Sequence, residues 1–242
     1  MSAFNVGNTI KITNTNRHPA AHELLTEHVD LDGASIVDIG ASDGSTSVDL
    51  IRAIPQFKSF VISDLYLTVT YRTAWGHVLF YDPQGTCILV CGSWWLGWPA
   101  GSRLVRALYW PVIRRARRST PSEALLLNPD ARAVVANDSR VSYAVHDVFQ
   151  PWPGSHPDVI KVANLLRRLY FTDEEITQAL RAIHASLDDG GHLLMVDNPR
   201  ADVRPRAGLY RREGSGFTPV ATVEGTPEIE DLILDLTVEN ER

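Results

Sequence analysis

Three features of the 242-residue sequence can act together on one ligand. The first is Gly40-Ala41-Ser42-Asp43-Gly44, directly after the apolar run Ser35-Ile36-Val37-Asp38-Ile39. Glycines at a strand end let the backbone approach a ligand closely, and a helix opening at Ser45 presents unpaired N–H groups to a carboxylate or phosphate. The second is Asp64, 20 residues past Gly44 and at the end of a second apolar run, Ser59-Phe60-Val61-Ile62-Ser63. A carboxylate there can accept both hydroxyls of a ribose. The third is Asp147, which follows Val141-Ser142-Tyr143-Ala144-Val145 and His146 and is placed to accept an adenine amino group. In this order the three predict a site for a nucleoside-type ligand. A dehydrogenase turn needs G-x-G-x-x-G. Here Gly40-x-Ser42-x-Gly44-Ser45-Thr46 lacks the third glycine, which argues against nicotinamide binding.

The elements that position these residues follow from periodicity. Pro19 with Ala21, Leu24, Leu25 and His28 at helical spacing predicts a helix over 19–29. Strand 35–39, the glycine turn, a helix from Ser45 to Pro55 and strand 59–63 make a βαβ unit. The alternation breaks after Asp64 and resumes with strands at 141–145 and 158–164. Thr172-Asp173-Glu174-Glu175 is a capping box, and its helix stops at Asp188-Asp189-Gly190-Gly191 before a strand at 192–196. The tail predicts paired strands at 209–211, 217–223 and 232–236, and residues 1–16 a loose arm.

Val37-Asp38-Ile39-Gly40-Ala41-Ser42-Asp43-Gly44 resembles the D/E-x-G-x-G-x-G motif of the class I S-adenosylmethionine-dependent methyltransferases, with Ser42 in place of the middle glycine. Asp64 matches their ribose-binding acid and His146-Asp147-Val148 their adenine-binding segment. The stretch from Asp158 to Asn164 is similar to their fourth-strand motif, and Asp189-Gly190-Gly191 to the turn before strand five. The resemblance covers about 19–65 and 140–238. It implies an α/β fold: a Rossmann-like seven-stranded, mostly parallel sheet with a reversed last strand, plus an inserted hairpin/helix cap. The expected organisation is 1–65, an N-terminal helix and the first half of the core; 66–135, the inserted cap; and 136–242, the second half of the core. The implied cofactor is S-adenosyl-L-methionine, held by Asp38, Gly40, Ala41, Ser42, Gly44, Ser45, Asp64, Leu65, Asp147, Val148, Ala163 and Asn164. The family also sets its fourth strand beside its first. That places Lys161, the odd residue of Val159-Ile160-Lys161-Val162, across from Asp38.

Methyl transfer from a sulfonium asks the protein to align the acceptor with the S–CH₃ bond and to exclude water; a base is needed only where the acceptor loses a proton. His18, His22 and Tyr66 are the candidates for that base, and His18 and His22 are spaced to share a helix face. Asn164, Tyr66, Trp94 and Trp95 are the candidate acceptor contacts. No third ligand stands near the two histidines, so no metal is expected. Residues 66–135 predict a hairpin at 78–81 and 86–90, then Trp94, Trp95 and Trp98, then an amphipathic basic helix over 103–118 interrupted by Pro111. The aromatics form either an apolar lid over the acceptor or the insertion's own small core. Arg103, Arg106, Arg114, Arg115, Arg117 and Arg118 make a solvated face, or else recognise an anionic substrate, a membrane surface or RNA.

Composition sets the outer bounds. With 44% hydrophobic and 21% charged residues the chain is globular, and a net charge of −6 argues against nucleic-acid binding. No apolar run approaches about 18 residues and no signal-peptide core is present, so a soluble, cytoplasmic protein is expected. Cys87 and Cys91, four apart on one strand, would sit about 13 Å from each other, too far for a disulfide. The expectation is methyl transfer from S-adenosylmethionine to a small-molecule acceptor, in bacterial secondary metabolism, by in-line attack on the sulfonium methyl. The alternatives are a cofactor-binding protein of the same fold without methyl transfer, and an RNA or protein methyltransferase. A homodimer is compatible with either.

Overall fold

The computed structural model describes residues 2–6, 9–13, 17–82, 84–198 and 204–238. Along the chain the first elements are β1 (Ser2–Val6), β2 (Thr9–Thr13), α1 (Pro19–His28), β3 (Ser35–Ile39), α2 (Ser45–Ala53) and β4 (Ser59–Asp64). Next come β5 (Thr68–Ala74), β6 (His77–Tyr81), β7 (Cys87–Cys91), β8 (Leu96–Gly97), α3 (Arg103–Ala116) and β9 (Ser122–Leu125). The rest are α4 (Pro129–Asn137), β10 (Val141–Val145), β11 (Val159–Ala163), α5 (Asp173–Ser186), β12 (His192–Asp197), β13 (Arg206–Glu213), β14 (Gly216–Val223) and α6 (Glu230–Leu234). They form two units, the larger of Asn14–Leu65 with Leu127–Arg242 and the smaller of Met1–Thr13 with Tyr66–Leu126. The helix over Pro129–Asn137, which the sequence groups with the insertion, lies in the larger unit, against α2 and β10.

The larger unit is built on a seven-stranded sheet in the order β10-β4-β3-β11-β12-β13-β14. The first five strands are parallel, β13 runs antiparallel to β12, and β14 runs antiparallel to β13. The reversal expected in the last strand therefore falls in the last but one, and β14 points the same way as the first five. Two residues, Gly214 and Ser215, join Glu213 to its partner Gly216, and a two-residue connection makes a hairpin. The strand expected at 232–236 is instead largely α6, because Ile229, Ile233 and Leu236 recur at i, i+4 and i+7 and are buried together. The loose arm expected over 1–16 contains β1 and β2, paired antiparallel with Val6 opposite Thr9; the alternation Ile10-Lys11-Ile12 is the local signal for it.

The central strand β11 is apolar on both faces apart from Lys161, as suits a parallel strand covered on two sides. Helix α5 opens on a complete capping box. Thr172 Oγ1 accepts from the Glu175 N–H at 3.3 Å, and Glu175 Oε2 accepts from the Thr172 N–H at 2.8 Å. Its Ile176, Ala179, Leu180 and Ile183 share a core with Val37, Ile160, Val162, Leu193 and Tyr210.

The smaller unit carries an antiparallel sheet, β8-β7-β6-β5-β9, with α3 packed on β5 and β6. Its core is Ala74, Leu79, Tyr81, Cys87, Val90, Tyr109, Ile113 and Ala116. The Arg72 guanidinium donates to the carbonyls of Arg117 and Ser119 and so closes the end of α3. Both cysteines are free thiols. Trp75, Trp94, Trp95, Trp98 and Trp110 are all exposed, so the expectation that the aromatics make the insertion's own core fails. Aliphatic residues and two tyrosines fill the space between α3 and the sheet.

One polar contact crosses the apolar centre of the larger sheet. The register sets Lys161 opposite Asp38, the pairing foreseen from the sequence, and Lys161 Nζ donates to Asp38 Oδ2 at 2.6 Å. Lys161 Nζ also donates to Thr46 Oγ1 at 3.2 Å, and the Ser47 hydroxyl donates to Asp38 Oδ2 at 2.7 Å. Both charged groups are essentially shut off from water. Removing one member of such a pair strands the other charge in a dry core, whereas removing both leaves nothing uncompensated. Lys161→Met is therefore expected to cost about 3–5 kcal/mol in urea unfolding. The double variant Lys161→Met/Asp38→Asn should recover a large part of that loss. An unchanged midpoint for Lys161→Met alone would contradict the role given to the pair.

Candidate cofactor and active site

The loop between β3 and α2 takes a left-handed φ at every second residue: Gly40 at +75°, Ser42 at +59° and Gly44 at +80°. These are the three glycine positions of the motif, and the alternation explains why glycine suits them. The space is also tight. A Cβ on Gly40 would lie 2.8 Å from Leu165 Cδ2, and one on Gly44 would lie 2.9 Å from Ala131 Cβ. Ser42 accepts the same backbone conformation at a cost of about 1–2 kcal/mol. The end of β4 clamps the loop: the Ala41 N–H donates to the Ser63 carbonyl at 2.9 Å and the Ser42 N–H to Asp64 Oδ2 at 2.8 Å. Asp64 is buried, and its carboxylate shapes the turn. Ser45, expected to offer a free donor, does not: its N–H is taken by Asp43 Oδ1 at 3.0 Å, and its hydroxyl accepts from Asn128 Nδ2 at 2.8 Å.

The remaining cofactor candidates stand at neighbouring strand ends. Leu65, just past β4, is exposed. Past β10, Asp147 Oδ1 accepts from the Phe149 N–H at 3.1 Å, which fixes the bend that buries Val148. His146 packs edge-on against Trp152 at 4.8 Å between centroids, and burial lowers its pKa. Ala163 and Asn164 close β11. The turn, Asp64, Asp147 and Asn164 thus occupy the carboxyl ends of β3, β4, β10 and β11, four strands consecutive in the sheet. The chain order reverses between β3 and β11, and open α/β sheets bind ligands outside the strand ends at such a switch point.

Asn164 holds a left-handed φ of +56° and joins three elements. Its Oδ1 accepts from the Asn198 N–H at 2.7 Å, and its Nδ2 donates to Asn198 Oδ1 at 3.3 Å and lies 3.4 Å from His18 Nε2. His18 and His22, at the start of α1, are both buried, with ring centroids 6.4 Å apart and edge-on. His18 Nδ1 and His22 Nε2 are buried with no hydrogen-bond partner among the described residues. Burial, reinforced by the Lys161 ammonium, lowers His18 from 6.5 to about 2 and His22 to about 3. Both rings are therefore neutral near pH 7. A general base works best with a pKa near the working pH. In this state the pair offers neutral hydrogen-bonding atoms rather than strong bases. Tyr66, Trp94 and Trp95 belong to the smaller unit, Tyr66 half-buried and the two tryptophans exposed.

Thr46, Ser47 and Asn198 take part in this arrangement and were not singled out from the sequence. The first two lie in the first turn of α2, a helix start whose sequence signal is its backbone alone. Asn198 stands just past an apolar strand, as Asn164 does, and that repeated pattern is the signal that could have found it.

No family profile matches the chain, and no curated protein matches it. Among solved structures it is similar to the pyocyanin biosynthetic protein PhzM, at 17% identity and a TM-score of 0.42, over 77% of this chain and 38% of that one. It is similar to the mitomycin 7-O-methyltransferase MmcR at 16% identity and 0.39, over 76% and 37%. A third is the magnesium protoporphyrin IX methyltransferase ChlM from Synechocystis PCC 6803 with bound SAH, at 14% identity and 0.40, over 76% and 55%. The chain spans well under half the length of the first two. The chain's own core decides the fold: strand four beside strand one, the left-handed turn after strand one, and the carboxylate ending strand two closed onto that turn. The core has the Rossmann-like α/β fold that the resemblance to the class I S-adenosylmethionine-dependent methyltransferases implies.

Two outcomes follow for this core. Ser42→Gly should relieve the left-handed strain and raise stability by up to about 1 kcal/mol, read by thermal or urea unfolding; a loss of stability would show that the serine side chain compensates for its backbone. The histidines set a pH dependence. Unfolded, each titrates near 6.5; folded, at about 2 and about 3. The unfolded state therefore takes up protons first, and the stability is present above pH 6.5 and lost as pH falls toward 3. Each histidine should contribute a loss of about 2 kcal/mol between pH 7 and pH 5. His22→Leu should remove its share of that slope, and an unchanged slope would mean that His22 is not held neutral.

Proposed function

We propose that the protein binds S-adenosylmethionine at the carboxyl ends of β3, β4, β10 and β11 and transfers its methyl group to a small-molecule acceptor. The observation that carries this reading is the left-handed Gly40–Gly44 turn fastened by Asp64, with Asp147 two strands away from it in the sheet. The donor set fits the cofactor. Asp38 Oδ1, Ser42 Oγ and Ser63 Oγ are buried without a hydrogen-bond partner among the described residues, which suits a polar ligand at this edge. Bound there, S-adenosylmethionine supplies an already activated methyl group.

The protein's part is placement. Asp64 accepts the ribose hydroxyls while its other bond holds the turn, and Asp147 accepts the adenine amino group. The backbone of 40–44 lies against the amino-acid end. Asn164, locked by Asn198, contacts the acceptor at the switch point. Neutral His18 and His22 offer hydrogen bonds there without taking a proton readily. The reading therefore favours an acceptor that is nucleophilic without a strong base, such as an amine or an already ionised oxygen. Tyr66 is retained as the candidate base for an acceptor that must lose a proton.

The same neutral histidines favour a second reading, a cofactor-binding protein that performs no methyl transfer. Tritium transfer from labelled cofactor to candidate amines and phenols, beside calorimetry with the cofactor, separates the two. Binding without transfer to any acceptor supports the second.

Asp64→Ala should weaken cofactor binding by about 10- to 150-fold, the loss of roughly 1.5–3 kcal/mol of charge-assisted hydrogen bonding. Asp64→Asn, which keeps one acceptor for the Ser42 N–H, should lose less. Unchanged affinity in both variants, measured calorimetrically, would remove Asp64 from the site.

A further inference from the structure

We propose that the smaller unit is a membrane-surface module, in which α3 and the segment leading into it seat on an anionic lipid bilayer. Seven large apolar side chains within residues 94–110 are exposed: Trp94, Trp95, Leu96, Trp98, Leu104, Leu108 and Trp110. Trp94 is 96% exposed, Leu104 84% and Leu108 67%. Single exposed leucines are ordinary on a folded protein, but seven large apolar side chains exposed within 17 residues of chain mark a contact surface.

These residues are not a misplaced core stripe. Helix α3 already buries Tyr109, Ile113 and Ala116, with Val105 and Val112 beside them. Leu104 and Leu108 are one turn apart and stand on one flank of that buried stripe, with Arg115 further along the same flank. Trp110 stands on the other flank, in the row of Arg103, Arg106, Arg114 and Arg117. All six arginines of 103–118 are exposed, and the Arg114 guanidinium lies over the Trp110 ring at 5.2 Å.

Charge selects the occupant. Residues 66–126 hold seven arginines, no lysine, and two acids, Asp82 and Glu123, a net of +5 in a chain whose net is −6. Arginines bordering exposed leucine and tryptophan match the two layers of a bilayer surface, with anionic headgroups for the guanidiniums and the acyl boundary for the apolar side chains. A second copy presenting the same face would bring like charge onto like charge. RNA would find arginines and stacking tryptophans but gain nothing from Leu104 and Leu108, which neither stack nor hydrogen-bond. At 14 residues α3 is about 21 Å long, too short to cross, and among the described residues no helix is long and apolar enough to do so.

The test is flotation of the full chain with vesicles of phosphatidylglycerol and phosphatidylcholine, against phosphatidylcholine alone, at 0.1 M and 0.5 M salt. The expected result is binding at least tenfold tighter to the anionic vesicles, weakened at the higher salt. Arg114→Gln/Arg117→Gln should lower it about 25-fold, near fivefold for each arginine. Leu104→Glu/Leu108→Glu should lower it tenfold or more with an unchanged circular dichroism spectrum. Absence of binding to the anionic vesicles at 0.1 M overturns the proposal. So does binding that ignores the leucine substitutions, which would mean charge attraction without insertion. Tighter binding to homopolymer RNA than to vesicles, or a dimer that the leucine substitutions dissociate, would assign the face to RNA or to a second copy instead.

Discussion

Where β3 meets β11, an ammonium and a carboxylate 2.6 Å apart sit out of reach of water, and much of the core is arranged around them. The pair joins the two strands in register at the point where the chain order of the sheet reverses. It is hydrogen-bonded to the first turn of α2, Lys161 donating to Thr46 and Ser47 donating to Asp38, so the helix start is fastened to the sheet. Its positive end reaches further: the Lys161 ammonium, after burial itself, keeps His18 and His22 unprotonated. A hydrophobic pair of similar volume would pack there and need no desolvation. It would supply neither the hydrogen bonds to α2 nor the field on the histidines.

Around this anchor the strand ends divide their work. The turn after β3 is a backbone device whose shape comes from three left-handed residues and two hydrogen bonds to the end of β4. Asp64 is the structural acceptor that closes the turn onto β4. Asn164 and Asn198 lock each other across β11 and β12, and with His18 they bring α1 to the same edge. Buried neutral histidines beside interlocked asparagines suit alignment and exclusion of water more than proton transfer.

Local chemistry made much of this legible before any coordinates. The strands 35–39, 59–63 and 141–145 are short apolar runs, and the helix after Thr172 announces its own cap, so each element carried its own signal. Lys161 opposite Asp38 was readable because an isolated lysine in a buried strand must find an acid. The misses are of another kind. Which strand of a closing hairpin pairs with β12 depends on long-range contacts, so the reversal was placed one strand too late. Leu232–Leu236 looks apolar enough for a strand, and only the burial of Ile229, Ile233 and Leu236 on one side makes it a helix. The tryptophans of the insertion were read as a core or a lid because their type predicts burial, whereas the core they were meant to form is already filled by Leu79, Val90, Tyr109 and Ile113. The protonation state of His18 and His22 is not readable either, since it follows first from their burial and then from a lysine more than 130 residues away in sequence.

The central claim is that the turn and the strand ends around it hold an adenosylated sulfonium cofactor. A crystal structure of the protein with S-adenosylhomocysteine tests it directly. The account predicts the ribose hydroxyls on the Asp64 carboxylate, the adenine amino group at Asp147 and the amino-acid end against the backbone of Gly40–Gly44. Density for the ligand at any other place, or none at a concentration that saturates the protein in solution, would contradict it.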